Sequence, residues 1–101
     1  MLHITREETW EAAKRTGTYG QPRGVIHGCS RAQLALVVEA HFQRPEGWVV
    51  LTVDESRATG ELRLVTHTDG DRSETFPHLH GTFPVSAVSR VETLADALTR
   101  T

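Results

Sequence analysis

The chain has 101 residues, with eleven Lys and Arg against thirteen Asp and Glu, a formal charge of −2, six histidines and one cysteine. That is the length of one compact domain, which buries roughly two thirds of the surface its unfolded chain exposes, so a single domain over residues 1–101 is expected. Near-balanced charge without a long run of one sign argues against a DNA or RNA groove and against a patch for acidic membranes, and Cys29 alone can build neither an internal disulfide nor a cysteine-based zinc finger.

Met1 to Ala12 carries Arg6, Glu7, Glu8 and Glu11, which leaves no apolar signal-peptide core, and nowhere do about eighteen apolar residues run together. A cytoplasmic protein without a membrane partner is expected. Leu2-His3-Ile4 reads as a strand end. In the "TREE" that follows, Thr5 is placed to accept the N–H of the third helical residue while Glu8 reaches back to the cap N–H, the pattern of a capping box. A helix from about Arg6 to Thr16, ended by Gly17, comes next, with Trp10 and Ala13 on its inward side. The glycines and Pro22 of "TYGQPRG" predict a loop that leads into a short strand, "GVIHG". "SRAQ" repeats the capping logic with Ser30 and Gln33, and Leu34, Val37, Val38, His41 and Phe42 recur at helical spacing. A second amphipathic helix over about 31–43 is the expectation.

Pro45-Glu46-Gly47 turns the chain into Trp48 to Val53, apolar almost throughout and so expected as a central strand covered on both faces. "ELRLVTHT", Glu61 to Thr68, predicts a strand with Leu62 and Leu64 pointing inward, closed by a turn at Asp69-Gly70-Asp71. After the stretch "FPHLHGTFP", Phe76 to Pro84, Val85 to Val88 predicts a helical turn, Ser89 to Leu94 a last strand, and "ADALTRT" a frayed end. The order β, α, β, α and then strands without further long helices predicts an α+β domain with mixed or antiparallel pairing. Neither a G-x-G-x-x-G nor a P-loop occurs, so any nucleotide would be held by other means.

Six histidines in so short a chain are the compositional hint of a site. In an extended segment His78 and His80 share a face and can meet one ion or ligand. A firm zinc site needs a third protein ligand and supporting carboxylates, and no H-E-x-x-H spacing supplies them; no bound metal is expected. The competing reading is a surface bend held by Pro77 and Pro84 over buried Phe76 and Phe83, with the histidines solvated. His27 stands before the second helix, where free N–H groups favour a phosphate or carboxylate; a strand histidine with a satisfied hydrogen bond is the alternative. Cys29 is either a thiolate activated by that terminus and His27 or, as favoured here, the hydrophobic-staple partner of Leu34. His41 and His67 are assigned no role. Trp10 and Trp48 are core candidates, whereas Tyr19, in its glycine-flanked loop, is free to cover a ring or nucleobase.

Read together, "LHIT", "W..A...G.Y", "GVIHGCSRAQ", "VVLTVD" and "FPHLHG...VSAV" make the chain resemble a small bacterial domain family of unknown function, number 952, from His3 to about Val91. That family carries, in the same order, His-Ile-Thr, a Trp in the first helix, Gly-x-Tyr, Phe-Ile-His followed six residues on by Gln, a Val-Asp strand end and Phe-Pro-His-Ile-Tyr-Gly. It is grouped with the ADP-ribosyltransferase-like fold of NAD-consuming transferases and RNA 2′-phosphotransferases. The resemblance implies a split, mostly antiparallel sheet flanked by two main helices, with a cleft for NAD, ADP-ribose or another phosphorylated small-molecule nucleotide. By similarity, His3, His27 and His78 are the catalytic candidates and Thr5, Tyr19 and Ser30 the ligand-binding ones, with Tyr19 as the stacking group. Two positions depart from the family pattern: its late-strand acidic residue is Val65 here, and its Tyr before Gly is His80. The nearest carboxylates are Glu61, Asp69, Asp71 and Glu74. Two expectations follow, a histidine-based transferase-like activity or a non-enzymatic ligand-binding or interaction module on the same fold.

Overall fold

The computed structural model describes residues 1–100 of the chain. β1 (Leu2–Arg6) runs directly into α1 (Glu7–Thr16), which turns Trp10 and Ala13 into the core. Gly17 ends the helix in the left-handed region, φ 86°, and returns its N–H to the Ala13 carbonyl. The capping box expected at the start of α1 does not form. Arg6 occupies the cap without a side-chain hydrogen bond, because Thr5 belongs to β1 and its buried hydroxyl meets Tyr19 instead.

β2 (Thr18–His27) replaces the expected loop with paired strand on either side of a bulge. Tyr19 lies opposite Phe83 and Gly20 opposite Thr82, and pairing resumes at Val25 opposite His80. Only the residues around Pro22 stand outside the ladder, where a missing N–H costs nothing. The Ser30–Gln33 pair forms as expected, with Ser30 N–H on Gln33 Oε1 at 3.0 Å and Gln33 N–H on Ser30 Oγ at 3.2 Å. It closes a turn, and the helix proper, α2 (Leu34–His41), starts later and stops earlier than its periodicity suggested. Cys29 and Leu34 are buried in one cluster, but Gln33 is the cap and Leu34 the first residue of α2, so they do not stand as the expected staple pair.

β3 (Trp48–Val53) is the centre of a sheet ordered β1-β3-β6, where β6 is Val88–Thr93. Its alternate residues enter two cores, as expected for a strand covered on both faces. Val49, Leu51 and Val53 join Trp10, Tyr19, Ile26, Leu79 and Phe83, while Val50 joins Leu2, Cys29, Leu34, Leu94 and Ala97. The expected frayed end is a third helix, α3 (Leu94–Thr99). Thr93 caps it by accepting the Asp96 N–H at 3.1 Å, and Leu94 and Ala97 are buried beneath it.

The second sheet is ordered β2-β5-β4, with β4 (Thr59–Asp69) and β5 (Arg72–Pro84) joined through Gly70-Asp71. All the pairing is antiparallel. "FPHLHGTFP" therefore makes most of a middle strand, and the reading of it as a surface bend is wrong. Pro77 is tolerated there because its carbonyl accepts the Gly28 N–H at 2.9 Å. In a strand, N–H and C=O of one residue point to the same side, so the missing N–H faces the place where β2 has just ended, and the ladder to β4 is intact. Gly60 and Gly81 face each other in the register, so close that a Cβ on Gly81 would stand 2.1 Å from the Thr59 carbonyl oxygen. Leu62 and Leu64 do not point inward: they are 40% and 72% exposed. They share the face of Ile26 and Leu79, but among the described residues that face of the hairpin is left exposed at both leucines.

Among the described residues the result is an α+β arrangement of two three-stranded antiparallel sheets and three α-helices. The sheets are joined where Leu2 and Cys29 exchange backbone hydrogen bonds of 2.8 and 2.9 Å. Among the described residues no helix is long and apolar enough to cross a membrane.

Candidate functional site

Beside that junction the sheets part, and a cleft of about 670 Å³ opens between α2 and the β4–β5 hairpin. One wall is apolar, from Leu36, Val37, Ala40 and Phe42, and is faced by Phe76 across the opening. The polar groups are mostly histidines. His3 comes from β1, His27 from the end of β2, and His67 and His78 from the hairpin, with Asp69, Arg72 and Glu74 on the hairpin side.

His3 and Thr5 are two apart on β1, so both project from the face opposite Leu2 and Ile4. Tyr19 Oη lies 2.7 Å from His3 Nε2 and 2.7 Å from Thr5 Oγ1, and His3 Nδ1 lies 2.7 Å from the His27 carbonyl oxygen. A carbonyl only accepts, so Nδ1 carries a proton. Burial lowers the His3 pKa, the hydrogen bond to the His27 carbonyl opposes this, and a charge on His27 adds to it. The Tyr19 hydroxyl donates to Thr5 Oγ1, and its oxygen lies against His3 Nε2, whose role follows the protonation of the ring. Either way both ring nitrogens are engaged by the protein. The Tyr19 ring stacks on Phe83, centroids 4.9 Å apart at 15°, and burial raises its own pKa.

His27 and His78 are directly opposite on β2 and β5, and their ring centroids are 4.6 Å apart. His67, one strand further, reaches His78 at 5.9 Å. Burial lowers the pKa of His78, and His27, His67 and His80 lower it further. Glu74, opposite His67, is held at 3.2 Å by the Gln33 amide, which also donates to the Thr75 carbonyl at 2.9 Å. Gln33 thus fastens the entry of α2 to the hairpin, fixing the two walls against each other.

His3, His27 and His78, remote in sequence, line one cleft. Thr5 and Tyr19 lie behind His3 as its support, with Tyr19 buried against Phe83 rather than presented to the opening, and the Ser30 hydroxyl is occupied with Gln33. His78 and His80 do share a face of β5, yet among the described residues no three His, Cys, Asp or Glu side chains converge to hold a metal. Burial pushes the Cys29 thiol up to about 11, against the pull of the N-terminal charge and of Arg31, so it is not a thiolate nucleophile at neutral pH. Sequence pattern does not single out His67, Arg72, Glu74 or the wall residue Phe42 as cleft residues. The turn at Asp69-Gly70-Asp71 carried a partial signal for His67: with Gly70-Asp71 alone as the loop, residue 69 faces 72 and alternation puts 67 on the same face as 78.

Against solved structures the chain resembles protein CC0527 from Caulobacter crescentus, determined by X-ray crystallography, at 27% identity and a TM-score of 0.69 over 90% of this chain and 82% of that one. A double mutant of the same protein matches equally well. No protein with a curated description matches. The family model described as Protein of unknown function (DUF952) matches residues 4–91, and the chain belongs to that family.

Proposed function

We propose that the cleft binds NAD, ADP-ribose or a related phosphorylated nucleotide, on an ADP-ribosyltransferase-like fold. The observation that carries this is the convergence of His3, His27 and His78 from three strands on one cleft. Its volume of about 670 Å³ falls within the roughly 300–1,000 Å³ usual for small-molecule sites, as does the pairing of an apolar wall with a few polar groups. In this reading the wall of Val37, Phe42 and Phe76 takes the flat ring of the ligand, and the imidazole edges take phosphate and ribose. With both nitrogens of His3 already engaged, proton transfer falls to His27 and His78. A neutral imidazole such as His78, held below its usual range, is suited to act as a base at neutral pH.

Binding without turnover is the second reading. It is favoured by Val65, which puts no carboxylate at the late-strand position, and by Glu74, whose carboxylate is taken up by Gln33. Calorimetry with ADP-ribose and NAD, followed by chromatography of the NAD after long incubation, tests both. Binding weakened at least about tenfold, the equivalent of 1.4 kcal/mol, by His78→Ala or His27→Ala is the expected result. Intact NAD selects the binding module over the transferase, and absence of binding at millimolar ligand overturns the proposal.

A further inference from the structure

β2, β5 and β4 carry His27, His78 and His67 on one face of the second sheet, with ring centroids 4.6 and 5.9 Å apart along the row. Such a row is poor at holding three positive charges at once, and His78 is shifted down accordingly by burial and by its neighbours His27, His67 and His80. The same row becomes favourable once a multiply charged anion lies against it. The charged and titratable groups around it come from every neighbouring element. β4 adds Arg63 opposite His78, ion-paired to Glu61 at 3.0 Å, and Asp69 at the turn. β5 adds Arg72 and Glu74 in the cleft and His80 beside His78, α2 adds His41, and the corner after β2 adds Cys29, an uncharged thiol. β1 contributes His3, both of whose nitrogens are used internally, and Glu74 is engaged by Gln33. Arg72 is the permanent cation that lines the cleft among the described residues, and the imidazoles are its conditional ones.

We propose that His27, His78 and His67 form a receptor for a phosphate dianion or pyrophosphate group that binds with uptake of protons by the imidazoles. This rests on the nucleotide reading of the cleft and assigns the phosphate end of that ligand to the second sheet, with the ring end against Phe76 and α2. The sign follows from linkage. An anion beside the imidazoles favours their protonated form, so binding strengthens as pH falls and weakens as pH rises. Each proton taken up makes affinity change by about tenfold per pH unit.

The test is calorimetric titration of inorganic pyrophosphate into the whole chain at constant ionic strength, at about pH 6 and about pH 8, in two buffers of different ionisation enthalpy to count protons. Net uptake of more than one proton between these limits, and at least about tenfold weaker binding at the higher pH, are expected. His67→Gln and His78→Gln, checked for folding by circular dichroism, each weaken binding at the lower pH and flatten its pH dependence. Pyrophosphate that binds without proton uptake, or fails to bind at millimolar concentration near pH 6, overturns the inference, and ADP-ribose binding in the same preparation then shows whether the nucleotide reading survives it. Proton-linked pyrophosphate binding without ADP-ribose binding supports the receptor and overturns the nucleotide reading.

Discussion

Tyr19→Phe is a stringent test of the support behind His3. The substitution keeps the ring on Phe83 and removes one oxygen, which lies 2.7 Å from both His3 Nε2 and Thr5 Oγ1. Thr5 is 6% exposed, so its hydroxyl is left in the interior with no replacement from water. Leaving one such group unpaired costs about 1–3 kcal/mol, and in a domain of this size each kcal/mol lowers Tm by about 4–8 °C. A fall of about 5–20 °C is therefore expected by circular dichroism. Thr5→Val combined with Tyr19→Phe removes both hydroxyls and should cost less than the sum of the single changes, by about 0.5–3 kcal/mol. The His3 tautomer, read from its ring nitrogen shifts, should stay protonated at Nδ1, because the His27 carbonyl that fixes it is untouched. An unchanged Tm in Tyr19→Phe, or strict additivity in the double variant, would mean that the Tyr19 hydroxyl does not hold Thr5 and His3 together.

Three further outcomes are expected. Cys29, 3% exposed and with its thiol pushed up to about 11, should resist Ellman's reagent near neutral pH in the native protein and react at once in denaturant. Gly81→Ala places a methyl group against the Thr59 carbonyl oxygen at a φ of 149°, and should destabilise by more than about 1 kcal/mol in urea unfolding, whereas Gly70→Ala, with nothing within 4 Å of its Cβ, bears only the conformational cost of φ 62°. Burial of Glu92 works to raise its carboxyl pKa, but the hydrogen bond from Arg31 and the charges of Arg100, Arg31 and Arg90 outweigh it and hold the carboxyl below the ordinary range. The stability it contributes is present above the unfolded-state value and lost as pH falls through the folded-state one, so Glu92→Gln should be clearly less stable than the parent near neutral pH and approach it under acid, as urea midpoints across the acid range will show.

Local pattern was enough for α1, β3 and the Ser30–Gln33 turn, because each is specified by residues adjacent in sequence: an apolar stripe with Gly17 at its end, an unbroken apolar run, a reciprocal pair three apart. What escaped was decided by partners far along the chain. Thr5 has the right spacing for a cap, but its hydroxyl faces Tyr19 in the interior. Pro77 and Pro84 suggest a bend, but the side of the strand on which Pro77 lacks its N–H is the side where β2 ends. Leu62 and Leu64 alternate as a buried face would, yet among the described residues no element covers the hairpin there. Half of the site was legible through His3, His27 and His78, picked out by their motifs. His67 and Arg72 belong to it only through the hairpin register, and Gln33 joins it through a side-chain amide that reaches across to β5.

Whether one cleft gathers histidines from four strands to receive a phosphorylated nucleotide is read by histidine-selective NMR during titration with ADP-ribose. The account predicts that the ring signals of His27, His67 and His78 move together along one saturable curve, that His3 follows as the wall behind them, and that His80, on the same sheet but outside the cleft, stays nearly still. Ring signals that remain unmoved at millimolar ADP-ribose, or a response confined to His80, would contradict it.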